Sequence, residues 1–222
     1  MKLLVLALAA VSASVAQPKS IPDGESLHYT VNWPSGISLG EAQFVAKKAG
    51  AAWNFQMTLE APVPWFAVKD QFRSQASAGL CSEMFEKRIE HGKKKAAEVT
   101  SFDSQTQKAA RRTLPDGGTT EHAAGPCGHD ALTFLSHVRR ELAAGRVAAP
   151  ATVMFGAPYE VKLEFGGVEK IQGQDTDRLV GTAIGPSSEQ KFELWFARDV
   201  ARTPVRTRVP LAIGAFSLEL SR

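Results

Sequence analysis

The sequence predicts a mainly β fold: a strongly curved antiparallel sheet, or partly open β-barrel, of about ten to twelve strands with one long helix packed against it. Three observations lead there. Apolar and polar residues alternate with period two through most of the chain. A single stretch, about 130–144, changes to a helical period. Turn signals rich in Gly and Pro recur between the alternating runs.

The first strand is read from Leu27, Tyr29, Val31 and Trp33, which alternate with Ser26, His28, Thr30 and Asn32. Ala42, Phe44 and Ala46 follow, and Lys47-Lys48-Ala49-Gly50 makes a turn. Trp53, Phe55, Met57 and Leu59 then complete a hairpin with one apolar face. Further strand-like runs lie near 66–76, 82–91, 95–103 and 106–114, the last stopped by Pro115-Asp116-Gly117-Gly118. After Ala124-Gly125-Pro126 the period changes. Asp130 suits an N-cap, Leu132, Leu135, Val138 and Leu142 form a stripe, and Gly145 is a natural stop. Arg139, Arg140 and Glu141 fall largely off that stripe.

Strands resume with Val161, Leu163 and Phe165, which end at Gly166-Gly167, with Val168 to Ile171 opening a return. Runs at 178–184, 192–197, 202–209 and 215–220 complete the chain. So many antiparallel strands accumulate twist and tend to curl or close, with the helix in the concavity. No repeat, linker or low-complexity segment divides residues 17–222, which are read as one domain.

The 222 residues are 44% hydrophobic and 22% charged, which excludes collagen-like, coiled-coil and wholly disordered classes. A formal charge of +3 gives no reason to expect a nucleic-acid partner. Lys2, the apolar run Leu3 to Val11 and Ser14-Val15-Ala16 match a secretory leader, expected to be cleaved before Gln17. That apolar run is too short for a bilayer span, and no later segment is long and apolar enough for a transmembrane helix. The expected location is outside the cytoplasm, the bacterial periplasm above all. In an oxidising compartment the two cysteines, Cys81 and Cys127, favour a disulfide. Closing a loop of about 47 residues is worth about 4 kcal/mol in the chain-entropy model. The competing reading takes Cys127-Gly128-His129-Asp130 as a thiol nucleophile with its base, or as part of a metal site.

Three stretches carry a family likeness: Gly24 to Val31, His129 to Leu135, and Leu194 to Asp199 with Pro204-Val205; Gly214 to Leu220 fits as well. Together they resemble the bacterial family called domain of unknown function 3108, over roughly residues 22 to 222. The resemblance implies exported β-rich proteins and supplies no catalytic residues.

No nucleotide-binding loop, Gly-x-Ser-x-Gly elbow or H-E-x-x-H pair occurs, so no cofactor or metal is expected. Of the five histidines, His129 and His137 fall on one helix side, where solvated or capping roles outweigh shared metal ligation. Between Lys87 and Arg112, eight basic residues face Glu90, Glu98 and Asp103. Lys93, Lys94, Lys95, Arg111 and Arg112 thus form a candidate basic surface for anionic lipid headgroups, lipopolysaccharide or an acidic partner; a lysine-protected sheet edge is the plainer reading. Arg198 and Asp199 are read as a turn ion pair. Pro62 to Phe66 presents Trp65 and Phe66 as a candidate ligand or membrane loop, or as a plug of the barrel.

The leading functional expectation is a non-enzymatic envelope protein whose curved sheet holds a lipid or other apolar ligand. The second is a structural or interaction module that binds an envelope protein or polymer through the basic hairpin. The third is an enzyme using the Cys127, His129 and Asp130 neighbourhood.

Overall fold

The computed structural model describes residues 21–63, 66–211 and 214–221. The leader read at residues 1–16 lies outside them, as do Trp65 and the side chain of Phe66. Eight strands come first, as an antiparallel meander: β1 (Glu25–Asn32), β2 (Ser38–Ala49), β3 (Ala52–Val63), β4 (Phe66–Ala76), β5 (Ser82–His91), β6 (Lys94–Asp103), β7 (Lys108–Thr113) and β8 (Thr119–Ala123). The chain then forms β9 (His129–Asp130), α1 (Ala131–Ala143) and β10 (Ala151–Met154). It returns through β11 (Pro158–Ile171), β12 (Gln174–Ile184), β13 (Glu189–Ala197), β14 (Pro204–Leu211) and β15 (Gly214–Leu220).

Because β15 pairs with β1, the two meanders join into one sheet ordered β8-β7-β6-β5-β4-β3-β2-β1-β15-β14-β13-β12-β11-β10-β9. Every ladder is antiparallel except β9 with β10. The sheet is open in its ladder and curled in space. Phe155, in the β10–β11 turn, lies 5.4 Å from the Phe72 ring and 6.0 Å from that of Phe85, and the Lys87 ammonium sits over it. Arg111 donates to the Gly156 carbonyl, and the Ser82 N–H donates to the Gly128 carbonyl at 2.9 Å. Side chains and one backbone bond, rather than a ladder, therefore bring the β9–β11 end onto β4–β7.

The fifteen strands among the described residues exceed the expected ten to twelve. Two of the additions, β9 with two residues and β10 with four, are too short to show alternation. Gly166-Gly167 is no turn. It is a bulge where the β11–β12 register shifts between Phe165 and Gly167, and the chain turns only after Ile171. The helix is also shorter than the expected 130–144, because Asp130 and Ala144 are its caps and lie outside its thirteen residues.

Strand alternation assigns the two faces. The inner face carries one apolar cluster on β1–β5, including Tyr29, Phe44, Phe55, Phe72 and Phe85, and a second on β10–β13, including Val161, Leu179, Leu194 and Phe196. The helix lies between them. Leu132 joins the first cluster, and Phe134, Val138 and Leu142 join the second. A helix wrapped by a curled sheet is buried on more than a stripe. Thr133, Ser136 and Arg139 are accordingly as closed to solvent as Val138.

Candidate functional site

The inner face has a closed level and an open one. Register defines its levels: Phe55, Ser74, Phe85 and Thr100 lie side by side across β3–β6. All four are at most 2% exposed. Two residues further along each strand come Met57, Phe72, Lys87 and Glu98, and two further again Leu59, Asp70, Ile89 and Ala96. Each step is about 7 Å. Along it the cover thins: Met57, Leu59 and Ile89 pack on the first cluster but stay half-buried, and Ala96 is exposed.

At the closed level α1 is locked in by polar groups. Asp130 caps it, accepting from the Leu132 and Thr133 N–H groups at 2.8 and 3.1 Å. Its other oxygen accepts from the hydroxyls of Ser74 (2.6 Å) and Ser82 (2.7 Å), which ties the helix start to β4 and β5. Burial pushes the Asp130 carboxyl above its ordinary range, against those hydrogen bonds. Arg139 is fully buried. It grips Glu25 of β1 through two bonds, of 2.6 and 2.8 Å, and its Nε donates to the Ala201 carbonyl at 3.0 Å. The expectation that Arg139 lies off the buried side is thus corrected. Its position four after Leu135 and three before Leu142 was the signal for it.

The disulfide joins Cys81 to Cys127, with Cα atoms 4.8 Å apart. It removes Cys127 as a thiol nucleophile, while capping occupies Asp130. Beside it, His129 is 4% exposed and its ring lies 4.9 Å from that of His137. His129 is therefore a buried histidine, where a solvated or capping role is expected from the sequence. Burial, aided by His137 and Arg140, holds its pKa down to about 4, against a hydrogen bond to the Leu80 backbone. His137 is also lowered, by burial and then by Arg140, whose guanidinium donates to its Nδ1 at 3.0 Å. Among the described residues no three His, Cys, Asp or Glu side chains converge as metal ligands.

Beyond the open level the inner face ends in a rim. His91 of β5 pairs with Lys94 of β6, next to Lys93 in the turn. His91 contacts the Asp70 carboxyl at 2.9 Å, and burial of that carboxyl raises its pKa despite the nearby His91.

The five residues of the candidate basic surface do not share one face. Alternation puts Arg111, level with Phe85 and Thr100, on the inner face, where Glu98 lies 3.6 Å away. Arg112 falls on the outer face, level with Glu86 and Val99. Lys95 is also outward and pairs with Glu90 at 3.0 Å, whereas Lys94 is inward at the rim. The Arg198–Asp199 pair does not form. Arg198 and Arg202 both pair with Asp177, at 3.0 and 2.7 Å, and Asp199 accepts from Thr203.

Comparison with known proteins bears on the fold and the family. A crystal structure of a β-barrel-like protein of domain of unknown function DUF1849 from Brucella abortus superposes at a TM-score of 0.66. It covers 91% of this chain and 98% of that one at 7% identity, a likeness of fold alone. Lipoprotein LppX of Mycobacterium tuberculosis aligns over 89% of this chain and 85% of its own at 14% identity, with a TM-score of only 0.31. No curated protein matches. The family described as protein of unknown function (DUF3108) matches residues 28–221, nearly the whole length, and the chain belongs to that family.

Proposed function

We propose that this is an exported, non-enzymatic envelope protein, at work in the periplasm, that holds a lipid or other apolar chain on the open level of its inner face. The carrying observation is the gradient of cover from the sealed Phe55–Phe85 level to the half-buried Met57, Leu59 and Ile89. These side chains continue a core cluster, so a chain laid on them extends an apolar surface that already exists. Each buried methylene contributes about 0.8 kcal/mol, so about ten supply roughly 8 kcal/mol before the cost of immobilisation. Micromolar binding needs about that much net, so the immobilisation cost must be offset by further methylenes or by a headgroup contact. The disulfide supports an oxidising location.

The test is gentle native mass spectrometry of protein purified from its own envelope. We expect a lipid-sized added mass that leaves on denaturation and is lost in Ile89→Asp, with the circular dichroism spectrum unchanged. A bare chain, both as purified and after incubation with hexadecanoate and with hexadecanol, would overturn the reading.

A further inference from the structure

The rim of the open level differs in charge from everything behind it. Most cations near it are already engaged. Lys87 pairs with Glu98 at 3.2 Å, Arg111 lies beside the same carboxylate, and Lys95 pairs with Glu90 on the outer face. The Asp70 carboxylate is answered by His91. Lys93 and Lys94 are exposed and make no ion pair among the described residues. Register places Lys94 directly opposite His91, on the same face as Ile89, so its ammonium belongs to the mouth of the apolar level. Behind it on β5 and β6 come Ile89 and Ala96 and then the paired Lys87 and Glu98, with Leu59, Met57 and Phe72 alongside on β3 and β4. Along one face, then, an uncompensated positive rim leads onto the apolar side chains Leu59, Ile89, Met57 and Phe72. The remaining charges there, Asp70, Lys87 and Glu98, are already paired, and that order matches an amphiphile lying head outward.

We infer that the chain held on this face ends in a single anionic headgroup, a carboxylate or phosphate, seated against Lys94 and Lys93 with its tail running towards α1. The inference rests on the function proposed above and adds the ligand's charge and direction. An ammonium at the mouth of an apolar surface meets an anion where water is partly excluded, which strengthens the contact.

The experiment compares hexadecanoate with hexadecanol, equal in chain length and different in charge, by native mass spectrometry and by displacement of a fluorescent alkyl probe. Hexadecanoate should bind about tenfold tighter at low salt, the usual worth of one charge-assisted contact, and the preference should shrink in high salt. Lys93→Gln with Lys94→Gln should abolish the preference and leave hexadecanol binding unchanged. Lys95→Gln, on the outer face, should leave the preference intact. Equal binding of the two probes to the native protein, or a preference that survives the double substitution, overturns the inference and spares the apolar-chain reading. Binding of neither probe overturns both.

Discussion

At the α1 level of the inner face, charged and hydroxyl groups lie deep in the molecule, and each major one has a partner from another element. Arg139 meets Glu25, and Asp130 meets Ser74 and Ser82. Two residues beyond the level of Met57 and Phe72 on the same strands, the apolar side chains Leu59 and Ile89 are half open to solvent. There Asp70 pairs with His91, and Lys93 and Lys94, without ion pairs among the described residues, lie at the edge. Both levels are built by the same strands with the same alternation. The difference lies in their cover: the start of α1 is tied over one level through Ser74 and Ser82, while the other stays partly open to solvent. A covered level must satisfy every polar group it buries, because unpaired ones are costly. An uncovered one leaves apolar side chains in partial contact with water.

The largest effect that would sharpen this contrast is at the covered level. Arg139→Ala leaves Glu25 buried without its partner and should cost about 4 kcal/mol, lowering the melting temperature by about 12 °C. Denaturant titration measures it, and a loss below about 1 kcal/mol would break the contrast, since that is the worth of an exposed pair.

The second effect is a pH dependence from a histidine at the same level. The folded-state pKa of His129 lies near 4, below its ordinary 6.5, so the unfolded chain takes up the proton first. Its contribution is therefore complete above pH 6.5 and is lost as pH falls towards 4. The loss should amount to about 3 kcal/mol. His129→Phe should flatten stability between those values, and an unchanged slope in that variant would remove His129 as its source.

The smallest effect is expected at the open level. Ile89→Ser deletes a half-buried side chain and should change stability by less than about 1 kcal/mol, while weakening alkyl-probe binding severalfold. A loss as large as that of a sealed core residue would show that this level is part of the core and carries no ligand surface.

Much of the architecture was legible in the chain. Alternation at Leu27–Trp33, Trp53–Leu59 and Phe192–Phe196 marked strands because half-buried antiparallel strands leave that pattern. Asp130 was legible as a cap because a short acceptor before an apolar stripe has few other uses. The Gly166-Gly167 bulge was misread because a bulge and a turn use the same glycine freedom, and only pairing with β12 separates them. The candidate site was less legible. Lys94 and Lys95 are neighbours in sequence, and a run of three lysines reads as one patch until register sends them to opposite faces.

By itself, then, the sequence determined the class of fold, the place of its helix and the family, and it favoured a Cys81–Cys127 bridge without deciding it. These follow from local periodicity, from composition and from the motifs shared with the family. Tertiary structure alone decided that Cys81 and Cys127 are bridged, that Arg139 is buried against Glu25, that His129 is buried beside the half-buried His137, and that the inner face is sealed at Phe85 and partly open at Ile89. Those facts depend on which distant strands the curl brings together, and on how far a thirteen-residue helix reaches across them. No local pattern encodes that reach.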